Sequence, residues 1–131
     1  MCGNMSPYQT NFLFNSYPDD LQKIAKDLIS KLNGRQTTPT TANVLISLSL
    51  TSVVEMIAIP PGWKKKCHMH PSSASMLLLL GEYSVLTAAK AEPLKMKPGA
   101  QVFTPQWNPH AEANKGSSPA VILVKWSPDA G

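Results

Sequence analysis

Residues 62–70 read GWKKKCHMH, which places two of the chain's 3 histidines one residue apart. In a strand, alternate side chains share a face, so His68 and His70 stand side by side. Neighbouring imidazoles pack poorly in a core but ligate metals well. A site needs a third ligand, and the remaining histidine is His110, in PGAQVFTPQWNPHAEAN at residues 98–114. It follows the turn-forming Pro105-Gln106-Trp107-Asn108. A jelly roll can return this segment beside the strand carrying His68 and His70. Three imidazoles converging inside a small barrel leave coordination positions open, as a catalytic metal requires.

The texture of the chain agrees with such a barrel. Short β-branched and leucine-rich runs predict strands at 43–48, 52–59, 65–70, 75–80, 83–88, 101–104, 109–113 and 120–126. They are divided by Pro60-Pro61-Gly62, Pro71-Ser72-Ser73, Gly81, Pro98-Gly99 and Gly116-Ser117-Ser118. Many short strands at this spacing predict an all-β sandwich or barrel. One helix precedes them. Pro18-Asp19-Asp20 forms an acidic start, Leu21, Ile24, Ala25, Leu28, Ile29 and Leu32 recur at helical spacing, and Gly34 supplies the stop. Lys23, Lys26 and Lys31 form its solvated face. Residues 1–17 read as an irregular arm and TTPTT at 37–41 as a linker. The expected organisation is therefore arm, helix and linker over 1–41, then the barrel over 42–131.

Composition narrows the class. The 131 residues suit one domain, which buries about two-thirds of its unfolded surface. The net charge of +4 comes almost wholly from lysine, with Arg35 the one arginine. Nucleic-acid readers rely on bidentate arginines and stacking aromatics, so a nucleic-acid partner is not expected. The apolar run from Met76 to Leu80 is far too short to span a membrane. The opening MCGNMSPYQTN lacks the charged start and apolar stretch of a signal peptide, and a cytoplasmic location is the default unless an export signal precedes it. Cys2 and Cys67 do not make a disulfide framework, and a single bridge between them is open but not expected, because Cys2 lies in the irregular terminus. Cys67 alternates with the histidines and is expected as a buried, inert thiol.

The stretch from Gly62 to Asn114 resembles the two motifs of the cupin superfamily. The first, G-x5-H-x-H-x3–4-E-x6-G, is met by Gly62, His68, His70 and Gly81. The second, G-x5-P-x-G-x2-H-x3-N, is met by Gly99, Pro105, His110 and Asn114. Two positions depart from the pattern. Ala74 and Ser75 stand where the ligand glutamate belongs, and Trp107 stands where the second motif has glycine. Glu82 and Glu112 are the candidates to fill in. Neither is expected to: Glu82 follows a turn glycine, and Glu112, though on the face of His110, lies farther along the barrel.

The resemblance implies a double-stranded β-helix (jelly-roll) barrel with an N-terminal arm and one α-helix. It further implies one divalent transition metal, Fe, Zn, Ni or Mn, on His68, His70 and His110, and a small-molecule ligand or substrate. Oxygen-using cupins with three histidines make oxygenase-type chemistry the first expectation. A redox-neutral lyase, isomerase or cyclase follows, and then a non-catalytic metal- or ligand-binding cupin. Ser75, beside the lost glutamate, and Lys66, sharing strand parity with His68, are the expected catalytic side chains; a lysine there would pair with a substrate carboxylate or enolate. Lys64 and Lys66 also read as a solvated edge that blocks aggregation. Trp63, Phe103 and Trp107 are expected to wall the pocket. Asn114 is expected to fix the turn after His110. The unbroken Leu77–Leu80 run suits a strand buried on both faces, under the helix or under a second copy in a homodimer.

Overall fold

A sheet with apolar residues on both faces has to be covered twice, and the whole architecture follows from meeting that need. The structure is a computed structural model that describes residues 19–35, 44–86 and 92–127. It contains α1 (Asp19–Arg35), β1 (Ile46–Ser49), β2 (Val54–Ile59), β3 (Lys64–His68), β4 (Ser73–Leu80), β5 (Tyr83–Leu86), β6 (Leu94–Met96), β7 (Gln101–Thr104), β8 (His110–Ala113) and β9 (Ala120–Ser127). The strands form two antiparallel sheets, one in the order β1-β2-β9-β4-β7 and the other β3-β8-β5-β6. This is the expected jelly roll, with the expected helix α1 among the described residues. Strand β6 is an addition, and β3 ends at His68 without reaching His70. The expected arm at 1–17 and linker at 37–41 lie outside the described residues.

Strand parity divides the buried side chains into two layers. Ile59, Met76, Leu78, Val102 and Ile122 point between the sheets, where they meet Tyr83 and Val85 of β5. The alternate residues Met56, Leu77, Leu79 and Leu123 point the other way, onto Leu21, Ala25, Leu28 and Leu32 of α1. The Leu77–Leu80 run is continuous because the helix covers its outer face, so it needs no second copy. Lys23, Lys26 and Lys31 are exposed on the far side of α1, as expected. Leu28 is 3% exposed in this seam. Leu28→Ala lowers stability by about 2–5 kcal/mol, read by denaturant unfolding, through lost transfer energy and the void left behind.

At Gly81 the chain leaves one sheet for the other with φ at 83°, and a Cβ there would lie 2.6 Å from the Pro119 carbonyl oxygen. Only glycine fits that turn. Asn114 fixes the turn after β8, as expected. Its Nδ2 donates to the carbonyls of Ile59, Pro60 and Ser118 at 3.1, 3.3 and 3.0 Å, and its Oδ1 accepts from Gly116 N at 3.0 Å. Among the described residues, no helix is long and apolar enough to cross a membrane.

Candidate metal centre

Strands β3 and β8 pair antiparallel with His68 opposite His110. His70 lies just past the end of β3, yet its ring still reaches the other two. The centroid separations are 4.4 Å for His68–His110, 4.8 Å for His68–His70 and 5.0 Å for His70–His110. Residues 106 and 107 tie the two histidine-bearing segments together. Trp107 N–H donates to His70 O at 2.8 Å, Gln106 N–H to Ser73 Oγ at 3.0 Å, and Gln106 Nε2 to Pro71 O at 2.8 Å. Trp107 occupies the motif's glycine position and keeps the left-handed conformation, with φ at 57°. The residue type changed and the turn did not.

A fourth side chain corrects the expected all-histidine set. Glu112 shares the face of His110, and its arm reaches back along the strand. Its Oε2 lies 3.0 Å from His68 Nε2 and 3.5 Å from His110 Nε2. Ligand atoms of His68, His70, His110 and Glu112 all fall within 4.8 Å of one another. The other oxygen, Oε1, accepts a hydrogen bond from the Tyr83 hydroxyl at 2.9 Å. Burial, with the Glu112 carboxylate beside it, pushes the Tyr83 phenol far up, so it stays a donor.

The proton positions follow from the partners. His68 Nδ1 faces the Lys66 carbonyl at 2.7 Å, and His110 Nδ1 faces the Asn108 carbonyl at 3.0 Å. A carbonyl only accepts, so each Nδ1 donates, and a ring that carries no second proton turns a lone pair at Nε2 inward. An ionised carboxylate also only accepts. His68 Nε2 sits buried and 3.0 Å from a carboxylate oxygen, an approach that only a proton or a metal ion between them supports. Facing lone pairs call for a cation between them. A divalent transition metal fits this test: imidazole and carboxylate are its donors, and the backbone carbonyls orient the rings as outer-shell partners do. Ligands about 2.1 Å from a shared ion stand at most about 4.2 Å apart, so the widest pair of this cluster would have to close by about 0.6 Å or more to share one.

Without metal the cation is a proton. The Glu112 carboxylate raises the His68 pKa above 6.5 against the opposing effect of burial. Burial and the two neighbouring histidines lower that of His70. Burial works to raise the Glu112 pKa, but His110, His68 and Tyr83 outweigh it and hold the carboxyl far below 4.5. The raised His68 pKa gives stability that is full below pH 6.5 and is lost as pH rises through the raised value. The depressed Glu112 pKa gives stability that is present above pH 4.5 and lost as pH falls toward its folded value. Metal-free protein thus gains most from this pair between those limits. Zinc-loaded protein gains stability as pH rises through the same upper limit, because protons no longer compete. Melting curves at stepped pH, with and without zinc, check the opposite slopes.

Tyr83 can be tested separately. Tyr83→Phe keeps the ring and deletes the donor to Glu112, so zinc affinity falls by about 10–100-fold in chelator competition.

A cavity of about 180 Å³ opens beside the cluster, bordered by His70, His110 and Glu112. Of the expected pocket aromatics, Trp63 lines it. Phe103 pairs with Ser75 on the opposite face of the sheet, and Trp107 is 58% exposed. Neither borders the cavity, and Ala74 takes the place expected of Ser75. Lys66 is exposed; its carbonyl, not its ammonium, serves the site through His68. A register shift between Lys65 and His68 brings Lys65 to the cavity rim in its stead. Cys67 is exposed and disulfide-bonded, contrary to the buried, inert thiol expected. Sequence reasoning missed Glu55, Thr104 and Trp126 as lining residues. Trp126 was legible by parity, two residues beyond the inward-facing Val124.

Two facing antiparallel sheets with a histidine–carboxylate cluster beside an internal cavity define a jelly-roll domain with a metal-type site. The chain belongs to the cupin family: residues 55–126 match the family model described as the cupin domain. No curated protein sequence matches the chain. Among solved structures, the DMSP lyase DddQ of Ruegeria pomeroyi DSS-3 aligns with a TM-score of 0.58 and 23% identity, over 75% of this chain and 54% of that one. The chain thus spans about half the length of that protein. TT1209 of Thermus thermophilus aligns with a TM-score of 0.54 and 30% identity, over 65% of this chain and 82% of that one. A structure described under the DMSP lyases RdDddP and RnDddQII aligns with a TM-score of 0.50 and 26% identity, over 56% of this chain and 36% of that one.

Proposed function

We propose that this cupin is a divalent-metal-dependent enzyme acting on a small organic molecule with oxygen donors, and that its chemistry is redox-neutral, of the lyase, isomerase or cyclase kind. One observation carries the metal reading: ligand atoms of His68, His70, His110 and Glu112 gather within 4.8 Å of one another, with His68 Nε2 3.0 Å from the Glu112 carboxylate. His68, His70, His110 and Glu112 hold the ion, with iron, zinc, nickel and manganese the candidates. A bound divalent ion supplies Lewis acidity to an oxygen of the substrate. Tyr83 holds Glu112 in place, Trp63 and Met76 help keep the cavity dry, and Lys65 draws anionic molecules toward the rim. The cavity volume of about 180 Å³ suits a small substrate.

The redox-neutral choice leans on the structure described under DMSP lyases, a likeness of 26% identity with a stated activity. Oxygenase-type chemistry is the second reading. It is favoured by the mixed imidazole–carboxylate ligand set that non-haem iron oxygenases also use. Metal analysis of protein purified without a chelating tag is expected to show about one ion per chain. Assays with Fe(II) and with Zn(II) on small carboxylates, diketones, thiols and phenols then separate the chemistries. Turnover without oxygen uptake fits the proposal, and uptake matched to turnover selects the oxygenase. A compound that raises the melting temperature and is recovered intact identifies a binding protein.

A further inference from the structure

We infer that the cavity holds a second ligand subsite, at Glu55 and Trp126, which takes the cationic end of a small molecule whose anionic end lies on the metal cluster. The subsite rests on the metal reading above for that anionic end only. Glu55, Ile57 and Ile59 of β2 alternate onto the cavity wall, opposite Val124, Ile122 and Ala120 of β9. A half-buried carboxylate thus interrupts an aliphatic surface. The Trp126 indole N–H donates to Glu55 Oε1 at 3.2 Å, which fixes the carboxylate and engages one oxygen. Among the described residues the ion pairs are those joining Glu112 to His68 and His110, so Glu55 has no cationic partner among them. A half-buried carboxylate on an apolar wall gains when a group of opposite charge meets it.

Position sets the size of the ligand. The Trp126 ring stands edge-on to His70 with centroids 5.1 Å apart, so a single indole separates Glu55 from the cluster. A bridging molecule is short, in keeping with the cavity volume. The charges also alternate. Neutral imidazoles, the Glu112 carboxylate and a divalent ion leave the cluster with net positive charge, and Glu55 supplies the negative counterpart. Lys65 lies on the rim, is exposed, and adds to the positive side. A small zwitterion matches this pattern, and the indole is the best aromatic neighbour for its cationic group. An ω-amino carboxylate is the simplest such compound.

Zinc-loaded wild-type protein is titrated with β-alanine and, separately, with butyrate, which has the same size and carboxylate but a methyl in place of the ammonium. Affinities are read by calorimetry and ligand-observed NMR. β-Alanine is expected to bind about ten-fold more tightly, the value of one charge-assisted contact. Glu55→Gln is expected to bring the two affinities level. Equal or tighter binding of butyrate, no binding of either compound, or a preference that survives Glu55→Gln overturns the subsite. The wild-type comparison stands even if the variant does not fold. Zinc content is measured on the same samples. Wild-type protein that takes up no zinc contradicts the metal reading, whereas zinc-loaded protein without the preference contradicts the subsite alone.

Discussion

Replacing Glu112 by glutamine lowers zinc affinity by at least about 100-fold, more than the 10–100-fold typical of an outer-shell change, because a direct ligand loses its charge. The substitution preserves shape, and the amide oxygen can still accept from Tyr83, so the variant keeps its packing. What it removes is the anion that lies 3.0 Å from His68 Nε2 and 3.5 Å from His110 Nε2. In the metal-free variant the His68 pKa moves back toward 6.5, since the Glu112 hydrogen bond is the leading cause of its rise. Competition against a chelator reads the affinity, and NMR titration of the imidazoles reads the pKa. Wild-type zinc binding by Glu112→Gln would return the site to the three-histidine set expected from sequence.

His110→Ala abolishes zinc binding altogether. The residue is 1% exposed, its ring lies nearest that of His68, and its Nδ1 is fixed on the Asn108 carbonyl. Losing it removes a ligand whose orientation was set before any metal arrives, and it opens a void at the end of β8. His110→Gln, closer in size, separates the two effects: it too loses zinc, but with less loss of stability. Zinc retained at wild-type stoichiometry in both variants would mean that the ion binds elsewhere.

The two motifs made the fold readable because they fix positions that only a particular backbone path brings together. Gly81 must be glycine in its crowded turn, and Asn114 must close the turn after β8. The helix was equally plain, since its apolar positions match a second layer on β2, β4 and β9. Parity failed where both faces of a strand are buried. On β4 and β7 apolar and small residues occupy either side, so nothing in the sequence distinguishes Ser75 from Ala74, or Phe103 from Thr104. On β3 the register shift after Lys65 exchanged inward and outward lysines, and no glycine or proline marks it. Strand β6 is three residues long between Pro93 and Pro98, too short for any period to show. Parity puts Glu112 on the face of His110, but the spacing along the strand hides its reach to His68. Neighbours of like parity stand about 6.6 Å apart along a strand. A glutamate arm can cover that interval when a hydroxyl such as that of Tyr83 and an inward-facing histidine draw it back, and those partners come from other strands.

A zinc-loaded crystal measured at the zinc absorption edge tests the account most directly. It predicts one anomalous peak per chain, within about 2.0–2.2 Å of nitrogens from His68, His70 and His110 and of an oxygen of Glu112. A peak lying away from those four side chains, or one ligated by the histidines while Glu112 points elsewhere, would contradict it.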